Sequence, residues 1–139
     1  MTLERESIIG HRLVEIRQAV QINHNGLDWV ISYFVLDGGV AFTLPGEWAN
    51  EIDAEQPPTD TVVLHHPVTH NVYGKRIIDV LRAKPDSMLS EESPYILFEN
   101  SCVVTDVIGA YHGLGAAGVY FYAPGELDLS ELEPFWLKS

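Results

Sequence analysis

The most informative run of this sequence reads Asp28-Trp-Val-Ile-Ser-Tyr-Phe-Val-Leu-Asp-Gly-Gly-Val-Ala-Phe-Thr-Leu44. Two segments rich in β-branched and aromatic residues, which are typical of strands, flank the step Asp37-Gly38-Gly39. Glycine adopts the positive φ angles that a tight hairpin needs. The run therefore predicts a β-hairpin. Its first arm is apolar on both faces, which predicts a central strand that is covered on both sides.

Another strand is predicted immediately before the hairpin. Residues 12–22 alternate between apolar and polar side chains, as a half-buried strand does. The turn sequence Asn23-His-Asn-Gly26 returns the chain as an antiparallel neighbour. Together these segments predict a three-stranded meander over residues 11–44.

A helix is the alternative interpretation of the first strand. Apolar residues between Ile9 and Val20 also recur at helical spacing, although Gly10 interrupts that pattern. Helices over residues 12–20 or 75–84 would make the protein an α+β fold instead of a mainly β one.

The pattern of the first meander recurs later in the chain. Tyr33–Thr43 is matched by Tyr95–Thr105, and Ser7–Ile16 is matched by Asn71–Val80. The two matches run in the same order and at nearly the same separation along the chain, which favours a degenerate duplication of one meander. The alternative is a coincidence among residues that all favour strands.

A glycine, Gly10 or Gly74, stands at the entry to each repeated unit. Glycine there permits a kink or a bulge at the start of the strand. The arginine two positions later, Arg12 or Arg76, is expected to lie along the sheet edge near the acidic residue three positions after it.

The predicted fold is a single mainly β domain over residues 1–139, a length that can bury a substantial core. Two related antiparallel meanders, residues 7–44 and 71–108, form a small sandwich or a small barrel. A C-terminal extension, residues 109–139, follows them. Minor helix is expected near Trp48 and near the C-terminus.

Charge restricts the partners that this chain can attract. It has 20 acidic residues and eight lysines and arginines, a formal net charge of −12. Such a charge repels nucleic acid and anionic membrane surfaces, so neither is expected as a partner. The single Cys102 predicts a buried hydrophobic side chain and not a disulfide. No run resembles a signal peptide or a membrane span, which predicts a cytoplasmic protein.

The motifs that usually carry chemistry are weak here, and no catalytic residue, cofactor or metal is expected. Gly113–Gly118 has the G-x-G-x-x-G spacing of dinucleotide sites, but a strand and Pro124 follow it where a helix is required. His65, His66 and His70 are expected to be exposed loop residues. A metal site that they form together with His112 is the alternative interpretation.

Two sets of aromatic residues are the candidates for binding. Tyr111 and His112 lie beside flexible glycines, and Tyr120 and Tyr122 share one face of a predicted strand, so these four are candidate ligand-binding residues. Near the C-terminus, Phe135 and Trp136 are expected either to dock on the core or to bury against a second subunit.

The functional hypothesis is a non-catalytic, acidic cytoplasmic binding protein. It would act through a protein partner or through self-association as a homo-oligomer. The alternative is a small-molecule-binding protein or enzyme with a pocket near Gly109–Gly118.

Overall fold

A computed structural model describes residues 1–22, 28–45, 50–87, 94–106 and 119–136 of the chain. A single four-residue α-helix, α1 (Arg5–Ile8), precedes the strands in these residues. The strands in chain order are β1 (Leu13–Ile22), β2 (Asp28–Leu36), β3 (Ala41–Phe42), β4 (Val62–Val63), β5 (Ile77–Ala83), β6 (Tyr95–Phe98), β7 (Val103–Asp106), β8 (Val119–Tyr122) and β9 (Leu132–Pro134). Short 3-10 turns cover Asp37–Gly39, Pro67–Asn71 and Leu129–Glu131.

The strands form two antiparallel sheets that share one core. The first sheet has the order β3-β2-β1-β4, and the second has the order β8-β7-β6-β5-β9. Apolar side chains from both sheets meet in one buried cluster, as in a small β-sandwich. The mainly β prediction is confirmed. The described strands form no closed barrel, and β1 and β5 occupy the segments that the α+β alternative made helical.

The two sheets repeat the same irregular register. Pairing of β1 with β2 shifts between Leu13 and Glu15, and pairing of β5 with β6 shifts between Ile77 and Asp79. These are matching positions of the two repeated units. A bulge leaves one residue without an opposite partner and bends the strand. Both units therefore bend at the equivalent position of their first strand. The duplication itself stays a prediction.

The second and third strands of each unit also match. Phe34 pairs with Phe42 in the first sheet, and their matching residues Ile96 and Val104 pair with each other in the second. The two ring centroids of Phe34 and Phe42 are 5.6 Å apart. Both pairs lie in the common core, so the matched segments of the two meanders occupy equivalent places in their sheets.

The two units join where their first strands begin. Gly10 and Gly74 both have positive φ angles, 92° and 80°. Arg12 Nη1 donates to the carbonyl of Gly74, and Arg76 Nη1 donates to the carbonyl of Gly10, each at 2.8 Å. The expectation that each arginine lies near the acidic residue three positions later is therefore replaced by a reciprocal contact between units. We call these four residues the arginine seam.

The hairpin glycine Gly38 gives a local test, because its φ is +82° and a side chain there is strained. We expect Gly38→Val to lower the free energy of unfolding by about 1–2 kcal/mol, the cost of a left-handed conformation for a residue with a Cβ. Ser101, with φ 71°, is the matched control. Ser101→Gly is expected to raise the free energy of unfolding by about 0.5–1 kcal/mol. Urea titration measures the free energy of unfolding of both variants. A change of the same sign and size in both would contradict the assignment of a positive φ angle to Gly38.

Several smaller expectations have separate outcomes. The 3-10 turn at Leu129–Glu131 supplies helical structure near the C-terminus, and β9 directly after it was not predicted. The predicted turn at 23–26 lies outside the described residues, and so does most of the helical turn near Trp48. The segment 109–118 also lies outside them.

Candidate binding site

Tyrosines gather on the outer face of the second sheet. Tyr120 and Tyr122 lie on the same face of β8 with ring centroids 4.8 Å apart, and the ring of Tyr95 on β6 lies 6.4 Å from that of Tyr122. Phe121, between them, packs against the main core instead. This is the alternation of a strand with one face on the core. We call Tyr95, Tyr120 and Tyr122 the tyrosine cluster.

Burial falls along the tyrosine cluster towards the edge of the sheet. Tyr95 is buried among a second group of apolar side chains, Tyr122 is half-buried, and Tyr120 is 42% exposed. Since β8 is the end strand of its sheet among the described residues, the most exposed tyrosine also lies at the open edge. An aromatic ring that is partly covered by its neighbours and partly open is typical of protein interfaces.

Phe135 and Trp136 take separate positions. Phe135 is only 2% exposed and belongs to the main core. Of the two expected positions, it takes the one docked on the core. Trp136 is half-buried and meets the Phe135 ring edge-on with centroids 5.2 Å apart. A role in a subunit contact stays a prediction, and Trp136 is the member of the pair that retains exposed surface.

The remaining candidates divide between described and undescribed residues. Tyr111 and His112 lie outside the described residues. The side chains of His65, His66 and His70 are exposed, and the His66 ring accepts a hydrogen bond from the backbone N–H of Val68 at 3.3 Å. Within the described ranges no three metal-binding side chains come together.

A small groove lies behind the tyrosine cluster, between the 3-10 turn Pro67–Asn71 and β8. Its cavity volume is about 80 Å³. Apolar side chains, among them Val68, Val72 and Phe121, form most of its wall, and Asn71 and Glu126 also line it. Such a surface suits one aliphatic side chain. We call it the β8 groove.

Cys102 also lines the β8 groove, and its thiol is buried. Burial raises the pKa of this thiol, and the partial offsets come from a hydrogen bond with Asn100 and the positive charge of Lys75. A raised pKa disfavours the thiolate, which is the reactive form of cysteine. Cys102 therefore contributes apolar surface to the groove.

Asp106 is a residue that sequence reasoning missed. It ends β7 opposite Val119, on the same face as core residue Val104, and its own side chain is half-buried. Burial raises the pKa of this carboxyl to about 7. The equivalent position of the first unit holds the buried Leu44. The available signal was an acidic residue in phase with the apolar positions of a strand.

A His–Asp pair on the surface has a structural explanation. His11 Nδ1 lies 3.0 Å from Asp37 Oδ1, and this hydrogen bond lowers the pKa of Asp37, as does the one from the Arg12 N–H. In the second unit Glu99 accepts the corresponding hydrogen bond from the N–H of Arg76. Because the carboxylate recurs without the histidine, its common task is to fasten the hairpin to the arginine seam.

Three further properties of the molecule are its charge, the length of its helical structure and its similarity to known proteins. The formal net charge is −12. None of the helical structure in the described ranges is long and apolar enough to span a bilayer. Searches of the chain against protein-family models, curated proteins and solved structures found no match.

Proposed function

We propose that this chain is a non-catalytic, acidic binding protein of the cytoplasm, which acts through a protein partner or through self-association. The contact surface is the exposed end of the tyrosine cluster on β8. The single observation that supports this proposal is the position of Tyr120, which lies against Tyr122 on the end strand of its sheet as far as the described residues go.

The chemistry of tyrosine favours a protein as the partner. Tyrosine buries a large apolar area with few rotatable bonds, and it is enriched at the residues that dominate binding energy. Tyr122 already packs against the second apolar group. Its side chain therefore loses little conformational freedom when a partner covers this surface. The surface is thus preorganised for a contact.

Net charge adds a preference for basic partners. A chain of charge −12 attracts a basic surface over roughly a Debye length, about 8 Å at physiological ionic strength, and repels another copy of itself. The cytoplasmic assignment is supported by the buried free thiol of Cys102. A basic cytoplasmic protein is the partner that best fits these features.

Site-specific photo-crosslinking tests the contact in living cells. A photoreactive phenylalanine analogue replaces Tyr120 in the full chain, and a matched protein carries it at Val62. Val62 is 63% exposed and lies on β4, an edge strand of the other sheet. We expect a discrete crosslinked species from position 120 and none from position 62.

The outcomes separate the two forms of the proposal. A crosslinked product of twice the mass of the chain identifies self-association, and any other discrete mass identifies a protein partner. If position 120 yields no discrete product, or the same product as position 62, the tyrosine cluster is not a contact surface.

A second function has one observation in its favour. Asp106, half-buried and with its pKa raised to about 7 by burial, directly precedes the undescribed segment that contains Tyr111 and His112. Perturbed carboxyls are common in active sites, so a small-molecule pocket or enzyme site near Gly109–Gly118 is the rival proposal. A metabolite panel tests it by thermal shift, since a ligand at 100 times its Kd stabilises by about 2.7 kcal/mol. A stabilising ligand that Asp106→Asn no longer binds would favour the rival.

A further inference from the structure

We propose that β8, the end strand of its sheet among the described residues, receives an extended segment of a basic partner protein as an added antiparallel strand, with one aliphatic side chain in the β8 groove. This inference rests on the proposed function and specifies how the partner binds. The first sheet provides the template, because there the chain's own residues Met1–Leu3 fill the equivalent edge.

The template is a short antiparallel contact. Thr2 forms a β-bridge with Asp53, the N–H of Ala54 donates to the Met1 carbonyl, and the N–H of Leu3 donates to the Ile52 carbonyl, both at 2.7 Å. Leu3 is 6% exposed and joins the main core. Two backbone hydrogen bonds and one buried leucine thus close this edge of the first sheet.

β8 occupies the position in the second sheet that corresponds to residues 52–55. Ala54 forms a bridge with Phe42 of β3, and Phe121 pairs with Val104 of β7. Phe42 and Val104 are equivalent positions of the two units. Ile52 and Val119, each two positions earlier, are both completely buried. The Ala54 and Phe121 backbones therefore face equivalent neighbours.

This equivalence fixes which backbone groups of β8 face outward. The N–H of Glu55 donates to the carbonyl of Ala41, so the N–H of Ala54 faces the other way, towards Met1. Hydrogen-bonding direction alternates along an antiparallel strand. Tyr122 pairs with Val103, the equivalent of Ala41, so the N–H of Phe121 and the carbonyl of Val119 point away from β7.

The β8 groove lies beside Phe121, so the added strand must place its side chain opposite that residue. In the template Leu3 lies opposite Ile52, the equivalent of Val119, whereas Met1 lies opposite Ala54, the equivalent of Phe121. In the second unit the groove lies between the 3-10 turn that corresponds to α1 and the β8 residue Phe121. Val68 and Val72 line it from the side of the turn. An aliphatic side chain that enters this groove therefore belongs to the residue opposite Phe121, which is the position of Met1 in the template.

Charge selects the partner over a second copy. Glu126 is one of the residues that line the groove, and the whole chain carries a net charge of −12. A second copy also has a net charge of −12 and is repelled. A segment with lysine or arginine beside its aliphatic residue has the complementary charge. Addition of a strand to a sheet edge is an established mode of peptide recognition, in which backbone bonds give affinity and side-chain pockets give specificity.

A labelled peptide that copies the template tests the proposal on the full chain. The probe is acetyl-Lys-Met-Thr-Leu-Lys-Lys-amide, with fluorescence anisotropy as the readout. Replacing its methionine, the residue opposite Phe121, with serine is expected to weaken binding about tenfold or more, because the groove is apolar. N-methylation of the leucine is expected to do the same by removing a donor, whereas N-methylation of the threonine changes binding less than about twofold.

Two variants and an exchange measurement locate the peptide on the protein. Val68→Lys introduces a like charge into the groove and is expected to weaken binding about tenfold, while Val62→Lys on the other sheet leaves it unchanged. Hydrogen exchange followed by NMR reports the contact one amide at a time. Saturating peptide is expected to slow exchange of the Phe121 amide selectively, with Tyr120 and Tyr122 as internal references.

Each contrary outcome has a distinct meaning. If position 120 crosslinks a protein partner but the peptide does not bind, or its N-methylated forms bind equally, strand addition is wrong and the proposed function survives. If both experiments are negative, both proposals fail. A concentration-dependent dimer that Val68→Lys abolishes would show that a second copy occupies the edge, which also overturns the inference.

Discussion

Replacing Asp106 with asparagine is expected to raise the free energy of unfolding at pH 8 by up to about 4 kcal/mol, and to change it little at pH 4. The physical reason is that Asp106 is taken out of water at the end of β7, which raises the pKa of its carboxyl to about 7 from an ordinary value of 3.8. Urea titrations of both proteins at a series of pH values measure the difference.

The sign follows from proton binding. Between the unfolded and folded pKa values of Asp106, the folded protein holds the proton and the unfolded chain has released it. The free energy of unfolding therefore falls as pH rises from about 4 to about 7, and the full penalty is present above pH 7. Asparagine cannot ionise, so the variant loses this part of the pH dependence and gains most at high pH.

Two further variants make the Asp106 result specific. Asp86→Asn removes one negative charge at an exposed position and controls for the general effect of net charge. Asp106→Leu installs the residue that the first unit has at this position, Leu44, and is expected to remove the same pH dependence. If the stability difference between wild type and Asp106→Asn were the same at pH 4 and pH 8, the carboxyl would not be the titrating group.

Replacing Tyr73 with phenylalanine is expected to lower the free energy of unfolding by about 2–6 kcal/mol, because two backbone groups each lose a partner worth about 1–3 kcal/mol. The Tyr73 hydroxyl accepts from the N–H of Ile16 at 3.1 Å and donates to the carbonyl of Leu64 at 2.6 Å. The hydroxyl thus lies within the ladder between β1 and the residue that follows β4. Urea titration at neutral pH gives the change.

Tyr120→Phe is the matched control for Tyr73, since it removes the same hydroxyl from an exposed ring and is expected to change stability by less than about 0.5 kcal/mol. In the second unit the equivalent backbone N–H also has a side-chain acceptor. The N–H of Val80, which corresponds to Ile16, donates to the side chain of Asp79 at 2.9 Å. Equal stability of Tyr73→Phe and Tyr120→Phe would mean that water replaces the lost hydroxyl in the ladder.

The main architecture could be predicted because its signals are local. Alternation along residues 12–22 and the glycines of the hairpin specify strands and a turn through neighbours only a few positions away. The need to cover the apolar faces then leaves a small sandwich or a small barrel. The structure confirms the mainly β fold and the positive φ of Gly38.

The features that were not predicted depend on contacts between distant residues. The short strand β9 ends in Pro134 and has no alternating pattern to mark it; only pairing with β5 makes it a strand. Arg12 finds its partner far along the chain, at Gly74. No local rule gives either position.

The candidate site was predicted in part for the same reason. Alternation alone places Tyr120 and Tyr122 on one face, and this is their arrangement in the structure. Their proximity to Tyr95 and the groove behind Phe121 require the order of the strands in the sheet. Asp106 was overlooked because acidic residues are abundant in this chain, and only the burial of its strand position distinguishes it.

The arginine seam has a consequence for how the chain acquires its structure. The N–H of Gly10 donates to the carbonyl of Ile77, and the N–H of Gly74 donates to that of Leu13, so each half supplies partners that the other lacks. If only one unit were folded, these backbone groups would lack hydrogen-bond partners and the shared core would be exposed to water. The two units are consequently expected to unfold in one cooperative transition. A substitution that destabilises one unit is then expected to unfold the other as well.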